Sequence, residues 1–238
     1  MGLKFVWFDL GYTLVDRDKG RLYHDILRKE FQIEKPLAEV RLAFHQTDKL
    51  FMREYPGVLG QHPATYFPWY IGIVNYELKL ALDLSKVIGC FRNEHYFTAD
   101  IWKAYPRSRE TLKQLKQAGY GVGLISNWDL SARQVLKDNR LDELLDEVIV
   151  SAEVGIEKPD PQIFQLALEK QRLRPEECLY VGDNYYDDVV GSGKVGMDCL
   201  LINRFGRTGI EELKYPSIIA DVSDVTVWCK QHRGTAVI

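Results

Sequence analysis

Residues 3–16 read LKFVWFDLGYTLVD. An apolar run ends at Phe8 and is followed at once by Asp9, and then by Gly11 and Thr13. A short apolar run bounded by turn residues is typical of a buried strand in a parallel sheet. Because such sheets bind their ligands at the carboxyl ends of the strands, the sequence places a candidate site at Asp9.

From about residue 107 onward, similar apolar runs alternate with helical patterns. The runs GVGLI, DEVIV, LYVG, CLLIN and SIIAD end at Ile125, Val150, Gly182, Asn203 and Asp221. Short strands that alternate with helices indicate βαβ units and a parallel sheet. We therefore predict an α/β fold, a Rossmann-like parallel sheet with helices on both faces, to which the run ending at Phe8 contributes one strand.

A long insertion separates the first strand from the others. Between about residues 16 and 106, apolar residues recur every three or four positions, for example in VNYELKLAL. This period is typical of amphipathic helices. We therefore predict two domains, a core of residues 1–15 and 101–238 and an inserted all-helical domain of residues 16–100.

Polar side chains follow several of the predicted strands: Asp9, Ser126 with Asn127, Lys158 in EKPDP, and Asp183 in VGDNYYDD. Each alone is weak evidence, because an Asp after a strand is more often a helix cap and a Ser-Asn pair is more often a turn. Together they fall on successive strand ends, in an order that would bring them around one point.

These side chains are suited to phosphoryl transfer. The carboxylate of Asp9 can attack phosphorus and form an aspartyl-phosphate. Asp9 and Asp183 can hold Mg²⁺, a cation that prefers oxygen ligands, while Ser126 donates to a phosphate oxygen and Lys158 supplies a positive charge. The backbone amides that follow Asp9 add an anion-binding concavity.

The chain resembles the haloacid dehalogenase-like hydrolases in four segments. They are FDLGYTLVD at Asp9, GLISN at Ser126, EKPDPQIF at Lys158 and VGDNYYDDVVGSGKVGM at Asp183, and their order and spacing agree with that family. The resemblance runs from about residue 3 to about residue 204, apart from the insertion. It implies that residues 16–100 form a helical cap domain.

The resemblance also implies roles for individual residues. Asp9 matches the nucleophile, and Ser126 and Lys158 match the phosphate ligands, with Thr13 and Asn127 beside them in the same motifs. The implied metal ligands are Asp9, the backbone carbonyl of Gly11 and Asp183, supported by Asp187 or Asp188, of which Asp188 fits the spacing better.

Gly11 departs from the pattern of most phosphatases in this family. They carry a second Asp two residues after the nucleophile as general acid and base, and glycine cannot move a proton. The neighbouring Tyr12 is a poor base at neutral pH, because an unperturbed phenol has a pKa near ~10. Some phosphatases of the family also have glycine at this position, so the difference does not by itself mean inactivity.

Three functions remain open at this stage. The leading hypothesis is a Mg²⁺-dependent phosphatase that acts on a small phosphorylated metabolite. The first alternative is a metal-independent C-halogen hydrolase, against which Asp183 and Asp188 would place two negative charges beside an anionic substrate. The second alternative is a catalytically weak member that binds phosphate.

Composition excludes several other classes. The chain has 238 residues, with 31 basic and 34 acidic side chains and a net charge of -3. This balance removes the electrostatic attraction for nucleic acid or an anionic membrane surface, so neither is an expected partner. No run of about eighteen apolar residues is present and the start lacks a cleavage site, so we expect a soluble cytoplasmic protein.

Some residues have two interpretations. An aromatic group of the insertion either packs within or between the domains or lines a substrate pocket: Tyr66, Phe67, Trp69 and Tyr70. Three basic residues could meet a substrate anion but are more often solvated: Arg53, His62 and Arg92. The four cysteines are too far apart for a zinc or redox motif and are predicted to be buried thiols: Cys90, Cys178, Cys199 and Cys229.

Overall fold

The computed structural model describes residues 2–93 and 102–232, which form two compact units. The sheet unit contains the described residues up to Asp16, Trp102–Gly206 and those from Lys214 onward. The helical unit contains the residues from Arg17 to 93 and Arg207–Leu213. The domain boundary expected at residues 100 and 101 lies outside the described residues.

Residues 207–213 differ from the sequence expectation, which assigned them to the core. In the structure this segment groups with the helical unit. His45 Nε2 lies 2.8 Å from the carbonyl oxygen of Thr208, and Arg53 donates to Glu212 at 3.2 Å. Such contacts between residues distant in the chain cannot be read from local periodicity.

The sheet unit is built on one six-stranded sheet. Its strands are β1 (Phe5–Phe8), β4 (Gly121–Ser126), β5 (Glu147–Val150), β6 (Cys178–Gly182), β7 (Asp198–Ile202) and β8 (Ile218–Ile219), in the order β5-β4-β1-β6-β7-β8. Every neighbouring pair is parallel. Two further strands, β2 (Val15–Asp16) and β3 (Lys103–Ala104), form a separate antiparallel pair. The predicted α/β fold is confirmed, although β8 is shorter than the run SIIAD suggested.

The central position of β1 explains its continuous apolar sequence. All four of its residues are buried, and Phe8 lies opposite Leu124 of β4 and Val181 of β6. The chain builds the sheet first on the β4 side of β1 and then on the β6 side. The carboxyl end of β1 is therefore the topological switch point, where open α/β sheets bind ligands.

The helical unit contains α1 (Lys19–Phe31), α2 (Leu37–Glu54), α3 (Pro63–Glu77) and α4 (Leu84–Asn93). The aromatic side chains of Tyr66, Phe67 and Tyr70 lie in its own buried core. Trp69 is more exposed, and its ring contacts Phe51 at a centroid distance of 4.7 Å. For the three buried rings the structure thus supports the packing interpretation.

The helices of the sheet unit are α5 (Ser108–Gln117), α6 (Ala132–Asp138), α7 (Ser151–Val154), α8 (Pro161–Gln171), α9 (Val190–Gly193) and α10 (Asp224–Gln231). Buried side chains of α8, among them Ile163 and Phe164, pack with Trp7 and Tyr180 in the core of the unit. Within the described ranges, no helix is both long and apolar enough to span a membrane. This apolar core fixes the strand ends that carry the candidate site.

The remaining side chains with two interpretations have ordinary structural positions. His62 is exposed and accepts from the backbone amide of Ala64 at the start of α3, and Arg92 is exposed on α4. Arg53 pairs with Glu54 and Glu212. All four cysteines are thiols: Cys178, Cys199 and Cys229 are buried as predicted, whereas Cys90 is only half-buried.

Candidate active site

The backbone places Asp9 directly after β1, at the carboxyl edge of the sheet. Its amide donates to the carbonyl of Val181 at 2.9 Å, which extends the parallel pairing with β6 by one residue. On the other side, β4 ends at Ser126. Because the three strands are hydrogen-bonded neighbours, the side chains at their carboxyl ends meet at this edge.

The carboxylate of Asp9 is buried, with 8% of the residue exposed. Its Oδ1 accepts from the Ser126 hydroxyl at 3.0 Å and from Lys158 Nζ at 2.8 Å. Burial raises the pKa of Asp9, the charge of Lys158 opposes this shift, and repulsion from Asp188 adds to it. The structure thus brings together Asp9, Ser126 and Lys158, the three side chains that the sequence assigned to catalysis.

Lys158 is a buried cation with three acceptors. Its Nζ donates to Asp9 Oδ1 at 2.8 Å, to the Tyr180 hydroxyl at 3.0 Å and to Asp188 Oδ1 at 2.6 Å. An ammonium group has three N–H donors, so this set uses all of them. Burial lowers the pKa of Lys158, but the carboxylates of Asp188 and Asp9 outweigh it and hold the pKa well above its ordinary value.

Tyr180 is a site residue that sequence reasoning missed. Its hydroxyl accepts from Lys158 and donates to the carbonyl of Ile125 at 2.7 Å. The sequence did contain a signal for Tyr180, since it is a phenol in the otherwise apolar buried strand CLYVG. A buried hydroxyl requires a hydrogen-bond partner, so a polar group had to lie near it. Tyr180 therefore ties Lys158 to the backbone of β4.

Asp188 has both carboxylate oxygens engaged within the chain. Oδ1 accepts from Lys158, and Oδ2 accepts from the backbone amide of Asn184 at 2.9 Å. The residue is fully buried in the π-helical turn Tyr185–Val189. A Cβ added at Gly182 would overlap this carboxylate, so glycine is required for the close approach. The sequence expected Asp188 to support a metal ion, and the structure shows it paired with Lys158.

Asn127 was expected to bind substrate. In the structure, its Nδ2 donates to the Lys158 carbonyl at 2.8 Å and its Oδ1 accepts from the Lys158 amide at 2.7 Å. Both side-chain atoms therefore contact the main chain of the loop that carries the ammonium group. This arrangement positions Lys158 beside Asp9.

The loop that follows Asp9 contains Gly11, Tyr12 and Thr13. Gly11 is half-buried, and its backbone is outside the left-handed region. A Cβ added there would lie 3.0 Å from Cζ3 of Trp128, so the ring of Trp128 restricts larger side chains. Thr13 is fully buried, and its hydroxyl has no hydrogen-bond partner among the described residues. A buried, unsatisfied hydroxyl four residues after Asp9 is suited to a ligand that can accept its proton.

The remaining acidic residues lie after β6. Asp183 is partly exposed. Burial and repulsion from Asp188 raise the pKa of Asp187 to about 7, and its Oδ2 accepts from Asn184 Nδ2 at 2.7 Å. Sequence spacing could not decide between Asp187 and Asp188, and the structure gives only Asp188 a bond to Lys158.

The oxygen donors at this edge of the sheet are of the kind that binds Mg²⁺. Across residues 2–93 and 102–232, no group of three or more His, Cys, Asp or Glu side chains is arranged to hold a metal ion. Mg²⁺ is commonly held by one or two carboxylates and keeps several waters. The carboxylates of Asp9 and Asp183 with the carbonyl of Gly11 are oxygen donors of that kind, so the chemistry of the donor set fits the ion.

Comparison with known proteins shows a family match over most of the chain. The family description "haloacid dehalogenase-like hydrolase" matches residues 3–196. The chain is 38% identical over 203 residues to a glyceraldehyde 3-phosphate phosphatase of Methanothermobacter thermautotrophicus, which covers 84% of this chain and 86% of that protein.

Two further similar proteins cover different shares of this chain. An (S)-2-haloacid dehalogenase of Burkholderia cepacia is 40% identical over 105 residues, which is 44% of this chain and 45% of the dehalogenase. The crystal structure of a HAD phosphatase from Thermococcus onnurineus superposes with a TM-score of 0.60 at 24% identity, and covers 97% of this chain and all of the other. Because the sequence identity is only 24%, this structural similarity concerns the fold alone.

The buried pair of Lys158 and Asp188 predicts a large effect on stability. Asp188→Ala leaves a buried ammonium with one carboxylate instead of two, and removing one partner of a buried ion pair typically costs about 3–5 kcal/mol. Urea unfolding measures this loss. The control is Glu153→Ala, which breaks an exposed pair with Arg133 at 2.7 Å and should cost under about 1 kcal/mol. Equal losses in the two variants would contradict the prediction.

Proposed function

Because the chain belongs to the haloacid dehalogenase-like hydrolases, we propose that it hydrolyses the phosphate monoester of a small metabolite through an aspartyl-phosphate on Asp9. The observation that carries this proposal is the buried carboxylate of Asp9, which accepts from both Ser126 and Lys158. A buried nucleophile between a hydroxyl donor and a fixed cation is suited to a phosphoryl group, whose oxygens need both kinds of partner.

The contacts of Asp9 suggest which oxygen attacks. Ser126 and Lys158 both donate to Oδ1, and neither donates to Oδ2. We assign the attack to Oδ2, which forms the bond to phosphorus while the ester P–O bond breaks and the leaving alkoxide takes a proton from solvent water. Water then cleaves the aspartyl-phosphate, which releases inorganic phosphate and restores the carboxylate.

Ser126 and Lys158 stabilise the transferring group in this scheme. Their donors already converge on one side of the nucleophile, so little reorganisation is needed when a phosphoryl group arrives. Lys158 stays protonated because Asp9 and Asp188 hold its pKa well above the ordinary value, against the opposing effect of burial. Asp188 and Asn127 thus act on the reaction by keeping the ammonium charged and in place.

We propose Mg²⁺ as the metal, held by Asp9, Asp183 and the carbonyl of Gly11. When bound, the ion neutralises the repulsion between the carboxylates and the anionic substrate. The unsatisfied hydroxyl of Thr13 is assigned to a phosphate oxygen. Each oxygen of Asp188 already accepts one hydrogen bond, from Lys158 and from the Asn184 amide, so we assign Asp188 a supporting role at the metal.

A C-halogen hydrolase is the second candidate function. The sequence argument against it counted the charges of Asp183 and Asp188, but in the structure Asp188 pairs at 2.6 Å with Lys158, a cation that it shares with Asp9. The phosphatase is favoured because the similarity to a named phosphatase extends over 84% of the chain, against 44% for the haloacid dehalogenase. Glyceraldehyde 3-phosphate is accordingly the first metabolite to assay.

The two activities are separated by one pair of assays. Phosphate release from p-nitrophenyl phosphate is measured with and without Mg²⁺, beside halide release from a 2-haloacid. Metal-activated phosphate release supports the proposal, and metal-independent halide release supports the second candidate. Silence in both assays supports a catalytically weak phosphate-binding protein.

Asp9→Asn should abolish turnover and leave the fold intact. The amide is nearly isosteric with the carboxylate but is a poor nucleophile. We expect a loss of more than about a hundredfold in kcat, or roughly 3 kcal/mol of barrier, measured beside the exposed control Asp142→Asn. A variant that keeps more activity than this would rule out the covalent mechanism.

Asp183→Asn should weaken activation by Mg²⁺ more than Asp188→Asn does. Asp183 is proposed as a direct ligand, whereas the loss of an indirect contact usually costs roughly ten- to a hundredfold in metal affinity. Titration of activity against the Mg²⁺ concentration gives the activation constant of each folded variant. An unchanged constant in Asp183→Asn would remove Asp183 from the ligand set.

Gly11 should limit turnover of esters with poor leaving groups, because no carboxylate stands at that position to transfer a proton. Gly11→Asp alone meets the ring of Trp128, whereas Gly11→Asp combined with Trp128→Ala provides space for the side chain. We expect the double variant to hydrolyse alkyl phosphates up to about 10²-fold better than Trp128→Ala alone.

The measurement is the ratio of kcat/KM for an alkyl phosphate to that for p-nitrophenyl phosphate. Thermal melting and Mg²⁺ titration verify that the double variant is folded and binds metal. If it passes both controls and the ratio does not rise, another group already transfers the proton.

A further inference from the structure

The loop between Asp9 and β2 contains a residue in an unfavourable backbone conformation. Tyr12 has φ 54°, in the left-handed region that side chains other than glycine and asparagine rarely adopt. Such a conformation persists only where surrounding contacts stabilise it. Within the loop, the amide of Tyr12 donates to the carbonyl of Val15 at 2.7 Å, and the amides of Leu14 and Val15 both donate to Leu10.

Arg204 supplies contacts to this loop from a distant part of the chain. It lies two residues beyond β7, at the same carboxyl edge of the sheet as Asp9. Its Nη1 donates to the carbonyl of Tyr12 at 2.6 Å, and its Nη2 donates to the carbonyl of Thr13 at 3.3 Å. One planar guanidinium group therefore holds two consecutive carbonyls, including that of the strained residue.

The guanidinium group is itself held in place. Its Cζ lies 3.8 Å from the centroid of the Tyr105 ring, a stacking distance. The amide of Tyr105 donates to the carbonyl of Leu14 at 3.0 Å, and the hydroxyl of Ser108 donates to the same carbonyl at 2.7 Å. The segment that orients Arg204 is thus bonded to the loop that Arg204 holds.

We propose that Arg204 is a positioning residue for the reaction, which holds the loop of residues 10–15 in the conformation that places Gly11 and Thr13 beside Asp9. Arg204 acts through the backbone of Tyr12 and Thr13. The inference rests on the proposed phosphatase function, which assigns the Gly11 carbonyl to the metal and the Thr13 hydroxyl to the phosphate.

The test is a double-variant cycle measured with p-nitrophenyl phosphate and Mg²⁺. Arg204→Ala should lower kcat/KM by about a hundredfold, because small displacements of positioning groups have effects of that size. Glycine adopts positive φ without strain, so Tyr12→Gly combined with Arg204→Ala should recover about tenfold of that loss. Tyr12→Gly alone is measured as the reference for the cycle.

Two further variants separate positioning from stability. Arg204→Lys keeps the charge but has no planar fork for two carbonyls, so its activity should lie between wild type and Arg204→Ala. Val225→Ala removes a buried side chain of α10 and should lower the melting temperature without a matching loss of kcat/KM. Guanidinium ion at sub-denaturing concentration should partly restore Arg204→Ala and should not affect Val225→Ala.

Two results would overturn the proposal. One is an Arg204→Ala variant within about twofold of wild type. The other is a double variant that is no faster than Arg204→Ala, which would mean that Arg204 does not act through the conformation of Tyr12.

If wild type releases no phosphate, the proposed function fails, and the loop is then followed by the amide NMR resonances of Gly11 and Thr13. Shifts in Arg204→Ala that revert in the double variant support the role of Arg204 in holding the loop, and unshifted resonances reject it.

Discussion

The buried ammonium group of Lys158 is the feature on which the rest of the site depends. A charge removed from water is very costly unless it is paired and hydrogen-bonded. Asp9, Tyr180 and Asp188 accept all three of its hydrogens, and they come from the end of β1, from β6 and from the π-helical turn that follows β6. The same requirement explains why Gly182 lacks a side chain, because a Cβ there would occupy the space of the Asp188 carboxylate. One cation thus joins the end of β1, β6 and the π-helical turn at the carboxyl edge of the sheet.

The pairing of Lys158 with two carboxylates also determines the net charge around Asp9. Asp9 and Asp188 share one positive partner, so the three groups together carry one net negative charge when both carboxylates are ionised. Burial and the nearby Asp188 raise the pKa of Asp9, and Lys158 opposes them. Among the groups around Asp9, Lys158 is therefore the one whose charge favours the ionised carboxylate, and it divides that effect between Asp9 and Asp188.

Much of the site follows from sequence because a parallel sheet brings strand ends together. The apolar runs ending at Phe8, Ile125 and Val150 were enough to predict that Asp9, Ser126 and Lys158 converge, and the structure shows the bonds between them. The roles of Asn127 and Asp188 could not be predicted in the same way. Both residue types are compatible with ligand binding, and only the three-dimensional contacts show that they bond to Lys158. The proximity of Trp128 to Gly11 and the hydrogen bonds of Arg204 to Tyr12 and Thr13 likewise join residues more than a hundred positions apart.

The hydrogen bonds of Asp9, Lys158 and Asp188 lie within one of the two units, which affects how the sequence can change in evolution. Among the residues that the structure describes, every hydrogen bond to the side chains of Asp9, Lys158 and Asp188 is made by a residue of the sheet unit. The partners of these three side chains can therefore be retained while the inserted helical residues change in sequence or in length. The two units can then diverge at different rates under selection.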